Sequence, residues 1–151
     1  EAMEVKVCTH SLRVETSRAP EFIDITDQVC AYVEGTGVTD GLVNIYSTHT
    51  TAAIKINENE PLLLQDMEQF LEGIAPRNGN YRHNDFSIRT VNMTEDECPN
   101  GHAHCQHLVL GASETVPLVG GRLQFGRWQR VFLVELDRPK QREVIIQVFG
   151  V

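Results

Sequence analysis

Apolar residues recur along the chain with two different periods. Val5, Val7 and Thr9 alternate with polar neighbours, and Leu12 and Val14 continue the alternation. Period two predicts a β-strand, either continuous or bent at His10-Ser11. Ile25, Val29 and Val33 are spaced by four. Thr26 suits the N-cap, Asp27 the first turn, and Gly35 and Gly37 close the segment, so a short helix is expected. Leu42–Thr48 is β-branched and aromatic, and Ala52, Ile54 and Ile56 alternate with Ala53, Lys55 and Asn57. These are two more strands, joined by Thr48-His49-Thr50-Thr51. Beyond the Asn57-Glu58-Asn59 turn, Leu63, Met67, Phe70, Leu71 and Ile74 form a stripe at helical spacing. Pro61 fits the first turn of that helix and Pro76 lies just past its end.

Residues 76–107 break the pattern. They are polar, rich in Gly, Asn and Asp, and hold four of the six histidines. Long irregular segments in a compact domain are usually functional loops. The remainder is strand-like: SETVPLV, GRLQFG, RVFLVEL and EVIIQVF, with Asp137-Arg138-Pro139-Lys140 turning between the last two. VFLVEL and EVIIQVF are apolar at successive positions, as in a sheet covered on both faces or at a subunit interface. The expected class is α+β: largely antiparallel β-sheets with two helices, in a single domain over residues 1–151.

A chain of 151 residues is large enough to bury a core without staples. Glu1-Ala2 is expected to be foreign sequence ahead of a native start at Met3. The net charge of −8 repels nucleic acid and anionic membranes, and no apolar run approaches the roughly 20 residues that span a bilayer. No signal peptide is expected from the N-terminal pattern. Cys8, Cys30, Cys98 and Cys105 are scattered, without a C-x-x-C. They read as small buried hydrophobes in a reducing, cytoplasmic compartment. Cys105 stands apart because of its histidine neighbours.

The candidate chemistry is carried by histidine. His10 stands alone and reads as an exposed strand residue. His49 closes an apolar strand in a hydroxyl-rich turn, where a rigid strand opens to solvent. His102-Ala103-His104-Cys105-Gln106-His107 is the densest cluster. In an extended chain His102 and His104 share a face; in a helix His104 and His107 do. Either spacing supplies two imidazoles to one divalent ion, with His49 or His83 as the third ligand. Histidine ligation suits Zn, Cu, Fe or Ni.

Three carboxylates accompany these histidines. Asp66 falls about one residue off the apolar stripe of the second helix. Glu58 follows a strand end. Glu135 shares a strand face with Val131 and Leu133, which is costly unless it is paired with an Arg or backs a metal-bound His. Arg77, Arg82, Arg89, Arg122, Arg127 and Arg130 lie on or near the loops and suit a small anionic substrate. Ser113 lacks a G-x-S-x-G context.

His49-Thr50-Thr51-Ala52-Ala53, Asn57-Glu58-Asn59, Asp66-Met67-Glu68, Pro76, Asn78-Gly79-Asn80-Tyr81 and His83 come first in a longer ordered set. His104, Leu110-Gly111-Ala112-Ser113, Pro117, Gly121-Arg122-Leu123 and Gly126-Arg127-Trp128-Gln129 complete it. In that order they resemble the YjbQ-like family (UPF0047), from about His10 to the last strand. The resemblance implies an α+β homotrimer with a histidine pocket able to hold a metal, zinc foremost. It also implies an activity labelled secondary thiamine-phosphate synthase. Carried over by motif, His49, His83 and His104 are the metal ligands and Asp66 and Glu58 the recurrent acids. Arg82, Arg127 and Ser113 are expected to bind substrate. His102 and His107 fall outside the recurrent positions. Arg127 stands where the family usually has Thr, which bears on anion preference.

The expected function is a metal-dependent enzyme acting on a small phosphorylated substrate. In it the ion acts as Lewis acid or water activator, and Asp66 or Glu58 as base. The alternative is a non-enzymatic, trimeric metal- or small-ligand-binding protein. A third reading, a purely structural protein, makes the histidines satisfied loop residues.

Overall fold

The computed structural model describes residues 3–151. Glu1 and Ala2 lie outside the described residues. The strands are β1 (Lys6–Glu15), β2 (Glu21–Asp24), β3 (Gly41–Ser47), β4 (Ala52–Glu58), β5 (Ser113–Val119), β6 (Arg122–Leu123), β7 (Gln129–Glu135) and β8 (Gln141–Gly150). The helices are α1 (Thr26–Thr36), α2 (Pro61–Ile74) and α3 (Gly101–Leu110), with one 3-10 turn at Arg82–Asn84. The α+β class stands, with three helices where the periodicity predicts two.

The first strand is not bent at His10-Ser11: it pairs with β8 without interruption from Lys6↔Gly150 to Glu15↔Gln141. Helix α1 begins one residue earlier than the cap reading expects. Thr26 lies inside it, and the Asp24 carboxylate accepts both the Thr26 backbone N–H and its hydroxyl. At the other end Gly37, at φ 73°, adopts the left-handed turn that closes the helix. Glu60 caps α2, accepting from the N–H groups of Leu62 and Leu63, and Pro61 starts it.

All paired strands are antiparallel. They form a five-stranded sheet in the order β1-β8-β3-β5-β6 and a three-stranded sheet in the order β2-β7-β4. One core lies between them. Val43, Ile45, Val116, Leu118, Val144, Ile146 and Val148 face Ile54, Val131 and Leu133, with Ile25, Val29 and Val33 of α1. A second, smaller core lies on the far side of the three-stranded sheet, where Ala53, Phe132, Val134 and Leu136 meet Leu71 of α2 and Ala103 of α3. This explains VFLVEL. Strand β7 is the centre of the smaller sheet and is buried on both faces, each large apolar side chain stabilising by about 1.5–3 kcal/mol. β8 differs. Its inward residues are buried, while Gln147 and Phe149 point out from the larger sheet.

The apolar stripe of α2 is only partly covered. Leu71 is buried, but Phe70 and Ile74 remain exposed. None of the four cysteines is buried; all are free thiols, with Cys30 and Cys105 exposed. The expectation that they are buried hydrophobes fails: Cys8, on the edge strand β1, is half-buried against the core, Cys98 is half-buried in the loop before α3, and Cys30 and Cys105 face outward from their helices.

Glu135 is fully buried and is satisfied by Arg142, itself 3% exposed. Arg142 Nε donates to Oε1 at 2.8 Å and Nη2 to Oε2 at 2.5 Å. The Thr16 hydroxyl and the N–H groups of Leu136 and Asp137 complete the carboxylate, and Arg142 also donates to Thr51. Of the two partners expected for Glu135, arginine is the one it meets. Among the described residues, no helix is long and apolar enough to cross a membrane.

Candidate functional site

Helix α3 organises the candidate site. At about 100° per residue, His102 and His104 lie roughly 200° apart around the helix, whereas His104 and His107 share a face. Its first residue is positioned by the chain before it, the Gly101 N–H donating to Asn84 Oδ1 at 2.9 Å. Tyr81 packs so tightly on Gly101 that an added Cβ would stand 2.5 Å from Tyr81 Cβ. That contact sets the 3-10 turn, and with it His83, against α3.

On this face the His83 and His104 rings meet edge to face, with centroids 4.7 Å apart. His104 is partly buried, and burial, followed by the charge of His83, lowers its pKa below 6.5, although Asp137 opposes the shift. One turn further on, burial also lowers the pKa of His107. The backbone of His49 and Ala52 lies against the His107 ring, and its Nε2 is buried with no hydrogen-bond partner. His49 sits in the β3–β4 turn, its backbone N–H donating to Ser47 Oγ while Ser47 Oγ donates to the Ala52 carbonyl. The His49 Nε2 accepts the Glu143 N–H at 2.9 Å, which leaves Nδ1 as the nitrogen that carries its proton. Burial and the nearby Arg142 lower its pKa. His49, His104 and His107 are therefore neutral imidazoles at pH 7, the form that accepts protons or binds metal.

His83, His104, His107 and the His49 turn thus form one chain of neighbours. Arg82 lies beside His83, exposed, and among the described residues its guanidinium has no ion pair or hydrogen bond. The other arginines divide. Arg89 pairs with Glu97 and donates to the carbonyls of His83, Val91 and Asn92, which braces the 82–97 loop. Arg130 is bound to Asp24 and Asp27, and Arg77 donates to the Asp137 carbonyl.

The remaining predicted site residues lie elsewhere in the chain. Glu58 and Arg127 line one cleft, with Trp128 and Gln129, and Arg127 stacks over the Trp128 ring at 4.7 Å. That cleft is at the Glu58 end of β4, roughly 20 Å along the strand from the Ala52 end beside His107. Asp66 lies on the exposed side of α2. Ser113 is exposed at the start of β5, paired with Tyr46. His107, set outside the recurrent set, joins His104; the i, i+3 spacing was its signal. Asp137, read only as a turn residue, is 2% exposed and accepts from Asn100 Nδ2. The sequence holds no signal for that burial beyond the turn itself.

The donor set can be compared with the expected zinc site. A catalytic zinc takes three protein ligands and an open position. His83 and His104 are placed to serve as two. Among the described residues, however, no three His, Cys, Asp or Glu side chains gather around one point. The residues of one chain, as they stand, do not fit a three-ligand ion.

Two antiparallel sheets flanked by helices, with histidines on α3, on the 3-10 turn and in the β3–β4 turn, define an α+β domain of a recognisable class. The profile described as UPF0047 protein YjbQ-like matches residues 10–151, and the chain belongs to that family. A UPF0047 protein of Methanothermobacter thermautotrophicus is 39% identical over 146 residues, covering 97% of this chain and 94% of that one. The Bacillus subtilis UPF0047 protein YugU is 34% identical over 141 residues, covering 93% and 98%. A solved structure from Sulfolobus solfataricus, described as a YbjQ-like protein of unknown function, has a TM-score of 0.88 at 35% identity, covering 98% of this chain and 100% of that chain.

Proposed function

We propose that this protein is an enzyme acting on a small phosphorylated substrate at the cluster of His49, His83, His104 and His107. The observation that supports this reading is a run of neighbouring histidines: His83 packs on His104, His107 follows one turn on with a buried nitrogen that has no partner, and the free guanidinium of Arg82 lies beside His83. Neutral imidazoles are competent general bases, and a base positioned for proton transfer contributes roughly 10²–10⁴-fold. Arg82 supplies the charge that holds a phosphate. His104, between His83 and His107, is the proton acceptor in this reading, and His83 with Arg82 orients the anion. Hydrolysis of phosphate esters and transfer of the thiamine-phosphate-synthase type are the two reactions to screen first. The test is turnover of a panel of phosphate monoesters and phosphorylated thiamine precursors. Turnover by the native protein that falls about 100-fold in His104→Ala supports the reading; equal turnover in both, or none in either, overturns it.

A second reading rests on the His83–His104 pair: a non-enzymatic protein that binds a divalent metal, zinc foremost, within a homotrimer. One chain supplies two imidazoles, so this reading needs a further ligand from a neighbouring copy. Elemental analysis of protein prepared without chelator separates the readings. A stoichiometric metal lost in His104→Ala, without turnover, favours the second.

A further inference from the structure

The opposite face of α3 carries a site that the histidine cluster does not use. His102 is 2% exposed, and neither Nδ1 nor Nε2 has a hydrogen-bond partner. The Leu136 carbonyl lies beside the ring and favours its charged form, but makes no bond of acceptable geometry. Burial, with Arg77, outweighs that carbonyl and lowers the pKa, so the ring is neutral and has one N–H and one bare nitrogen to satisfy. Unsatisfied buried polar atoms are rare in folded proteins and call for a ligand or water.

His102 lines a cavity of about 340 Å³ between α2 and α3, at the small end of the range for ligand sites. Gln65, Glu68, Gln69 and Glu72 also line it, at the spacing of one face of α2. Gln106, one turn after His102, faces the same space and ties the two helices by donating to the Leu71 and Ala75 carbonyls. The walls are thus held in place from both sides.

The charges select the ligand. Glu68 and Glu72 stand one helical turn apart. The Arg77 N–H donates to both oxygens of Glu72, and its guanidinium is turned to the Asp137 carbonyl. Arg18 reaches Glu68 at 3.2 Å, but its side chain is 59% exposed, and such a pair is weak and readily displaced. Arg77 lines the cavity too, but its guanidinium donates to the Asp137 carbonyl and is outnumbered by Glu68 and Glu72. An anion would meet two carboxylates and one guanidinium, whereas a cation with N–H donors would meet two carboxylates, side-chain amides and a bare imidazole nitrogen.

We propose that the cavity between α2 and α3 is a second binding site, separate from the histidine cluster, for a small amine whose ammonium group sits between Glu68, Glu72 and His102. The site needs no metal, and its occupancy does not depend on the function proposed for the other face of α3.

The test is calorimetric titration of the whole protein with 1,4-diaminobutane, and with succinate as the anionic counterpart of similar length. The expected result is saturable diamine binding at about one per chain and no succinate binding. Affinity should fall about tenfold or more in Glu72→Gln, as expected for loss of one charge-assisted contact. His102→Phe should lower it similarly, and His104→Ala should leave it unchanged. Because Phe at 102 fills space and can disturb packing, Glu72→Gln, which keeps the acceptor for the Arg77 N–H, is the deciding variant. Absence of saturable diamine binding would overturn the proposal and leave water as the partner of His102. So would equal affinity in the native protein and Glu72→Gln, or succinate binding as tightly as the diamine.

Discussion

At the scale of single residues, the protein keeps charge and neutrality in separate places. Burial lowers the pKa values of His49, His102, His104 and His107 below 6.5. A histidine with a lowered folded-state pKa binds fewer protons folded than unfolded, so its neutrality stabilises the fold fully above pH 6.5. That contribution is lost as pH falls from 6.5 through the folded-state values. Melting temperature should therefore drop as pH falls below 6.5, and His102→Phe should flatten the drop; a melt that does not change on acidification from 6.5 would contradict it. Asp24 acts in a lower window. Burial alone would raise its pKa, but Arg130, Thr26 and Asn59 outweigh burial and hold it at about 2. Its contribution is present above its ordinary value of 3.8 and is lost as pH falls toward 2. The buried Glu135–Arg142 pair is a third case. Glu135→Ala leaves the Arg142 guanidinium without a counter-charge and should cost about 3–5 kcal/mol in denaturant unfolding. A cost below about 1 kcal/mol would show that water enters to replace the carboxylate.

At the scale of elements, the sequence is legible wherever one face of an element is buried and the other is not. The strands around Val43, Ile54 and Val144 and the helix of Ile25, Val29 and Val33 show their periods because those residues enter the core between the sheets. α3 escapes that logic. Its inward positions are His102, Ala103 and Gln106, not an apolar stripe, so a ten-residue helix hides in a polar segment. β2, with four residues, is too short to show a period. The candidate site is half legible for the same reason. Residue type alone singles out His49, His83 and His104, and helical spacing admits His107. No local pattern reveals that Glu58 and Arg127 occupy the opposite end of β4 from the histidines. The packing of Tyr81 on Gly101 supplies a test at this scale. Gly101→Ala forces Tyr81 to move, since the new Cβ would lie within 2.7 Å of both Tyr81 Cβ and Cγ. It should destabilise by about 1–3 kcal/mol, as overpacking does, and shift the resonances of His83 more than those of His10. Unchanged His83 signals would detach the 3-10 turn from this contact.

At the scale of the whole molecule, the larger sheet turns an apolar row outward. Register aligns Val7, Phe149 and Leu42 side by side on one face, each at least half exposed. Exposed apolar patches of this kind commonly mark protein interfaces, and this one supports the proposed homotrimer. Light scattering on the native protein should give the mass of three chains, and Leu42→Glu should reduce it to one. A monomer in both would refute that assembly and move the missing metal ligand out of reach.

The central claim is that neutral imidazoles on one face of α3 receive a phosphorylated ligand. Long-range proton–nitrogen spectra of the histidine side chains, recorded from pH 8 to 5 with and without inorganic phosphate, test it most directly. The account predicts that His104 and His107 titrate below pH 6.5 and that phosphate shifts His83 and His104 while leaving His10 in place. Titration of His104 at or above 6.5, or phosphate shifts that spare both rings, would contradict it.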